Sequence, residues 1–190
     1  MVRVFLVLGC RRRAQLPSTA IEVEGARAVF ERTRKVTWYS PAALAAAAAE
    51  LSGRELLEGI REGRLPAPPM AELIDVRLVL VGDGEVRFAW TPDESAYNPI
   101  GMVHGGLLCT LLDFAAGAAV HTQLPAGVGF SSIEIKVSYL KALRADSGEI
   151  TVDGRALQVG RRVAFAEGRA RNTDGALVGH ATTSIAVLST

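Results

Sequence analysis

The spacing of apolar residues changes twice along this chain. Residues 41–64 are built from helix formers. Ser40-Pro41 reads as a capping serine with proline at the first helical position, ahead of AALAAAAAEL. Ser52 with Glu55 three residues later is a capping box that opens a second helix to about Arg61. The run LPAPP at 65–69 stops helix formation and predicts a stiff connector. From residue 73 the period becomes two. Residues 73–81 and 85–90 predict strands joined by a hairpin turn at Gly82-Asp83-Gly84. A loop over 91–103 precedes a continuous apolar stretch, 105–120, that predicts one long helix. Alternation resumes over 130–140, with Ile133, Ile135, Val137 and Tyr139 on one face and Ser132, Glu134, Lys136 and Ser138 on the other. Further strand runs cover 148–158, 161–171 and 176–188, the last two joined by a turn at Asn172-Thr173-Asp174-Gly175. Two strands, one long helix and four strands predict an α+β protein: one antiparallel β-sheet wrapped around one long central helix, with an N-terminal helical appendage. The expected organisation is a poorly ordered tail over 1–40, the appendage and connector over 41–69, and the main domain over 70–190.

Composition removes several classes. A length of 190 residues suits one domain with a small appendage. The 21 basic and 20 acidic side chains nearly cancel, to a net charge of +1, which argues against nucleic-acid binding through a broad basic surface. Cys10 and Cys109 cannot build a disulfide framework, and three histidines (His104, His121, His180) leave no dense metal-binding set, so neither metal nor cofactor is expected. Near the start, residues 4–8 are apolar and Arg11, Arg12 and Arg13 follow closely. That run is too short for a signal core and far short of the roughly 20 residues a membrane span needs. The expectation is a cytoplasmic protein with no membrane partner.

The central helix stands apart. GGLLCTLLDFAAGAAV is apolar nearly all round, and its glycines and alanines make it thin enough for a sheet to close on it. Asp113 is the only charged residue in it. An unpaired carboxylate in an apolar interior is costly and answers with a raised pKa, so this acid is either held by specific donors or used in chemistry.

The segment NPIGMVHGG followed by LLCTLLD resembles the His-Gly-Gly motif and helix acid of hotdog-fold acyl-CoA thioesterases of the phenylacetate-pathway (PaaI-like) type. Asn98 lies six residues before His104, and Asp113 lies nine after it. The resemblance covers roughly residues 70–188 and includes the order of elements. It implies a hotdog fold and a hydrolase that converts an acyl-CoA to a carboxylic acid and free coenzyme A. Physical reasoning supplies roles beside it. N–H groups at a helix start have no intrahelical partner and sit at the positive end of the dipole, so Gly105 or Gly106 can polarise a thioester carbonyl. Asp113 then attacks the carbonyl itself or takes a proton from an attacking water. By resemblance, Gly105 is the oxyanion donor, Asn98 orients water or thioester, and His104 shapes the turn and bonds near the carbonyl or sulfur rather than serving as the base. Gly105 and Asp113 are eight residues apart, about 12 Å along a helix, whereas an attacking group must come within about 3–3.5 Å. One helix cannot serve one substrate with both. Two antiparallel helices related by a two-fold axis can, so a homodimer with shared active sites is expected, and the resemblance leaves a dimer of dimers (a homotetramer) open.

Other positions carry lighter expectations. The resemblance places Ser132 near the site, where it holds the water; an ordinary strand serine is the plainer account. Arg161 and Arg162 are candidates for the phosphates of coenzyme A, against the plainer reading of solvated turn charges. Gly106 is placed with Ser132 and these arginines among the substrate contacts, while Lys136 and Arg144 are weaker candidates. His121 is expected to complement the helix dipole, His180 to be structural, and Cys109 to be a small core residue. A different class of function is a hotdog acyl-CoA-binding sensor that does not hydrolyse its ligand; a carboxylate at Asp113 beside an anionic ligand argues against it.

Overall fold

A computed structural model describes residues 32–188. Among the described residues, every helix and strand lies within Val36–Thr190. Most of the tail expected over 1–40, including Cys10 and Arg11–Arg13, lies outside the described residues. Residues 32–40 carry neither helix nor strand, and Trp38 and Tyr39 are exposed.

Three helices open the fold: α1 (Ala42–Glu50), α2 (Gly53–Arg61) and α3 (Pro69–Ile74). The alanine run forms α1, one residue later than Ser40-Pro41 implies, with Pro41 at the cap and the Ser40 hydroxyl 3.4 Å from Ala42 N–H. The capping box of α2 is present in full: Ser52 Oγ accepts from Glu55 N–H at 3.3 Å, and Glu55 accepts from Ser52 N–H at 2.9 Å. The connector is not uniformly extended. Pro68 caps α3 and Pro69 takes its first position, where a missing N–H costs nothing, so Leu73 and Ile74 are helical rather than the start of a strand. The helix ends at Asp75 in the left-handed region (φ 58°), a conformation that aspartate adopts more readily than most residues.

The sheet comprises β1 (Val76–Val81), β2 (Glu85–Trp90), β3 (Gly129–Tyr139), β4 (Ile150–Val159), β5 (Val163–Arg171) and β6 (Leu177–Leu188), wholly antiparallel in the order β1-β2-β4-β5-β6-β3. The long helix α4 (Gly105–His121) lies across it. Leu111, Leu112, Ala115 and Ala119 of α4 pack with Ile150, Val152 and Val178, and Val120 packs with Ala164 and Ile185, all with no exposed surface. Each of the leucine, isoleucine and valine side chains contributes about 1.5–3 kcal/mol by leaving water. The sheet also supplies glycines for the approach: a Cβ at Gly154 would collide with the backbone of Ala115, and one at Gly168 would sit 3.0 Å from Leu112 O.

One face prediction fails. A bulge between Ser132 and Glu134 shifts the register of β3 on β6, so Ile133 is exposed, as is Tyr139 at the strand's end. β3 is therefore an open edge of 11 residues carrying exposed apolar side chains.

Candidate active site

The segment before α4 is pinned before it delivers the glycines. Asn98 Oδ1 accepts from Ile100 N–H (3.1 Å) and Met102 N–H (3.2 Å), so the side chain closes its own turn. Val103 N–H donates to Leu143 O at 2.9 Å and His104 N–H to Ala96 O at 2.8 Å. His104 is the cap of α4, with Nδ1 accepting from Gly106 N–H at 2.9 Å. That bond requires a lone pair on Nδ1, so in the neutral ring the proton sits on Nε2. It also occupies the Gly106 N–H, which removes Gly106 as a carbonyl donor. The Gly105 N–H has no partner among the described residues. Gly105 lies beneath the Tyr139 ring and lines a cleft of about 280 Å³ together with Asn98 and Tyr139. Asn98 thus reaches the same cleft as Gly105, with its carbonyl oxygen committed and its NH₂ remaining to donate.

Asp113 sits two turns further along α4. It is half-buried rather than sealed in an apolar interior. The Ser132 hydroxyl donates to its Oδ1 at 2.7 Å, which joins the acid of α4 to the strand β3. Cys109, four residues earlier, is half-buried too; burial pushes its thiol above the usual range and the neighbouring Asp113 adds to this, so it is disfavoured as a thiolate. Asp113 also borders a second and larger cavity of about 470 Å³. Its walls come from α1, α2 and α3 on one side and from Thr110, Phe114 and Gly117 of α4 on the other, with Phe88 of β2 and Phe130 of β3. The sequence gives no local signal for this cavity, because its lining is drawn from elements scattered over most of the chain.

The remaining candidates lie apart from Gly105. Arg161 and Arg162 occupy the turn between β4 and β5 and are exposed. Arg162 O accepts from Val187 N–H, whereas Tyr139, over Gly105, pairs with Gly179. Eight residues of β6 separate those levels, about 26 Å, so within one chain the arginines lie far from the Gly105 end, whereas Ser132 pairs with Ile185, two residues from Val187. Lys136 and Arg144 are exposed. His121 packs on Phe130 with ring centroids 5.1 Å apart, and burial pushes its pKa below the usual histidine value. Burial disfavours the charged ring that complementing the helix dipole would need. His180 Nε2 lies 3.5 Å from Glu167, which also pairs with Arg169, consistent with a structural place in the sheet. Among the described residues no cluster of His, Cys, Asp and Glu converges on a metal position, and no helix is long and apolar enough to cross a membrane.

A sheet wound on one long helix, with the helix start and the helix acid both at its surface, defines the hotdog class. Comparison with known proteins agrees. The thioesterase superfamily profile matches residues 100–179. A protein of Halobacterium salinarum whose name proposes an esterase is 38% identical over 90 residues, covering 45% of this chain and 58% of that protein, so the chain spans little more than half of that curated relative. Among solved structures, a phenylacetic acid degradation-related protein of Ralstonia eutropha is 26% identical over 68% of this chain and 98% of its own, with a TM-score of 0.63. A conserved protein of Pseudomonas aeruginosa is 30% identical over 64% and 95%, with a TM-score of 0.60. A hypothetical thioesterase of Streptococcus pneumoniae, solved with coenzyme A, is 27% identical over 60% and 86%, with a TM-score of 0.55. Residues 100–179 match the thioesterase superfamily, and the chain has the hotdog fold.

Proposed function

We propose that the protein is an acyl-CoA thioesterase. The observation that carries this reading is Asp113, held by Ser132 at 2.7 Å on the wall of a large apolar cavity. A carboxylate beside an apolar chamber is placed to act where the acyl group of a bound thioester ends. In this reading the carbonyl oxygen is received by Gly105 N–H at the positive end of α4, which stabilises the charge that develops there. Asp113 either accepts a proton as water attacks the carbonyl carbon or attacks it directly to form an acyl anhydride that water then hydrolyses. Both routes break the C–S bond and release a carboxylate and coenzyme A; the departing thiolate takes its proton from the protonated Asp113 in the first route, and in the second from the protons freed when water hydrolyses the anhydride. Asn98 offers its NH₂ to the water or the thioester, and His104 holds the helix start in place. The Streptococcus pneumoniae structure with coenzyme A supports that half of the substrate.

The two halves of the site belong, in this proposal, to different subunits. Gly105 and Asp113 are separated by about 12 Å along one helix. The open edge β3 offers the means to bring them together. A second copy pairing antiparallel along it, centred between Ser132 and Tyr139, sets the partner's Tyr139 opposite Ser132. Because Tyr139 covers Gly105 and Ser132 holds Asp113, the partner's Gly105 then faces this chain's Asp113. Such pairing also covers an edge that would otherwise invite aggregation.

The test is thiol release from a panel of acyl-CoAs by wild-type and Asp113→Asn protein. Hydrolysis by wild type and its loss by a hundredfold or more in the variant, with the fold intact by circular dichroism, is the expected result. Binding of acyl-CoA without hydrolysis by wild type would favour a sensor. Equal activity of the two proteins would remove Asp113 from the mechanism.

A further inference from the structure

The cavity beside Asp113 has a direction as well as a volume. On α4 its lining runs from Thr110 through Asp113 and Gly117 to His121. From Asp113 to His121 is eight residues, about 12 Å of helix. At the far end His121 packs on Phe130, and α1 is fastened there through Gly127 N–H to Ala48 O at 3.0 Å. The roof is α2, whose first residue, Gly53, donates to Leu124 O at 3.0 Å and sits so close to His121 that no side chain would fit. Leu44 and Ile60, both half-buried, project from these helices into the lining. Its polar members are Thr110, Asp113 and His121.

These dimensions select a substrate class. The volume, about 470 Å³, is roughly three times the ~150 Å³ that holds a benzene ring. A small aryl-acyl group would leave most of it unfilled. An extended hydrocarbon advances about 1.25 Å per carbon, given bonds near 1.5 Å and tetrahedral angles. Twelve ångströms from Asp113 to the His121 end therefore accommodates a chain of about ten carbons.

We propose that this cavity is the acyl site for straight medium-chain thioesters, about eight to twelve carbons long, and that Leu44 of α1 and Ile60 of α2 set the length limit. The inference rests on the thioesterase reading for the place of the carbonyl, but the chain-binding part stands separately. α1 and α2 lie outside residues 100–179, which carry the superfamily match, so the chain measures its substrate with a part of the fold distinct from the part that performs the chemistry.

Two readouts test it. The first is kcat/KM for a straight-chain acyl-CoA series from two to sixteen carbons, with phenylacetyl-CoA alongside, for wild type, Leu44→Trp and Ile60→Trp. Thermal melts check that each variant is folded, and the second variant serves if the first is not. Wild type should improve with length up to about ten carbons, by at most about fourfold per methylene, and gain nothing beyond. Either tryptophan should lower the decanoyl-to-hexanoyl ratio tenfold or more. A preference for acetyl-CoA or phenylacetyl-CoA, or a ratio that neither variant moves, would overturn the assignment. The second readout is the affinity of S-alkyl-CoA thioethers, which cannot be hydrolysed, measured by calorimetry. If no thioester is cleaved yet affinity rises with alkyl length and Leu44→Trp abolishes the rise, the acyl site stands and the hydrolase reading falls. Affinity independent of length would overturn the acyl site whatever the catalytic result.

Discussion

Replacing Gly105 by proline tests the oxyanion assignment at a single atom. A backbone N–H cannot ordinarily be deleted without breaking structure, but the first position of a helix is the exception. Proline is favoured there because that N–H has no intrahelical partner and the ring pre-sets the helical φ. The residue before proline must be extended, and His104 already is, at φ −61° and ψ 128°. The Gly105 N–H has no partner among the described residues, so no internal hydrogen bond is lost. The steric cost falls on Tyr139, whose Cζ would lie 3.2 Å from a new Cβ. That ring is 55% exposed and can give by the few tenths of an ångström required. Stability should change by less than about 1 kcal/mol, or about 2–4 °C in Tm for a chain of this size. Loss of one preorganised oxyanion donor should lower kcat by about 10²–10³, equivalent to about 2.7–4 kcal/mol. Gly105→Ala is the matched control, since it adds the same Cβ against Tyr139 and keeps the N–H.

The assay is thiol release under saturating acyl-CoA for the three proteins, beside thermal melts. The decisive quantity is the ratio of the alanine to the proline variant. If both variants are equally active, the carbonyl is not held by Gly105 N–H and the proposed geometry is wrong. The same variant addresses the shared site. Co-refolding Gly105→Pro with Asp113→Asn chains makes mixed dimers with one doubly broken and one intact site. Random pairing should then restore about a quarter of wild-type activity. No recovery from dimers shown to be mixed would mean that both groups act within one chain.

Two further outcomes follow from side-chain contacts. Ser132→Ala removes a hydroxyl that donates to the Asp113 carboxylate at 2.7 Å; hydrogen bonds to charged groups are worth about 1.5–3 kcal/mol, so kcat should fall about ten- to hundredfold with little change in Tm. A fall of less than threefold would show that Asp113 needs no such support. His121 is the second case. Burial holds its pKa below the unfolded value of about 6.5, so below that pH the unfolded chain binds more protons than the folded one. Stability is fully present above pH 6.5 and is lost as the pH falls toward the folded pKa. Wild-type Tm should therefore drop between pH 7 and 5, and His121→Gln should flatten that slope; identical slopes would dispose of the burial argument.

What the sequence makes legible here is local. The Ser52–Glu55 capping box, the Gly82–Gly84 hairpin and the long apolar helix each depend on residues within a few positions, and each forms as expected. Two departures have non-local or ambiguous causes. Proline both ends and begins helices, and in LPAPP only the capping geometry at Pro68 decides that Pro69 starts one. Ile133 leaves the buried face because β3 takes its register from β6, some 50 residues away, and a bulge absorbs the mismatch. Asp113 combines both kinds of information. Its presence in an apolar helix is plain in the sequence, but its partner is a hydroxyl from β3 nineteen residues later, a spacing with no periodic signature. The acyl cavity is less legible still, since it exists only once three short helices are laid against α4.

That division has a physical consequence for how such a protein changes. Gly105 is fixed by the pinned turn before α4 and by the His104 cap, and Asp113 by the helix and Ser132. Leu44 and Ile60 sit on helices tied to the loop after α4 by Gly53 to Leu124 and Gly127 to Ala48, and to the core by the buried Leu56 and Leu57. A substitution at Leu44 or Ile60 alters the space beside the acid without passing through any bond that positions the acid or the N–H. Residues on that roof can therefore alter chain length over a wide range while the geometry for carbonyl attack stays the same. Gly117 of α4 differs: a Cβ there would come within 2.8 Å of the Phe130 ring, so a larger side chain displaces the cavity wall on the helix that carries Asp113.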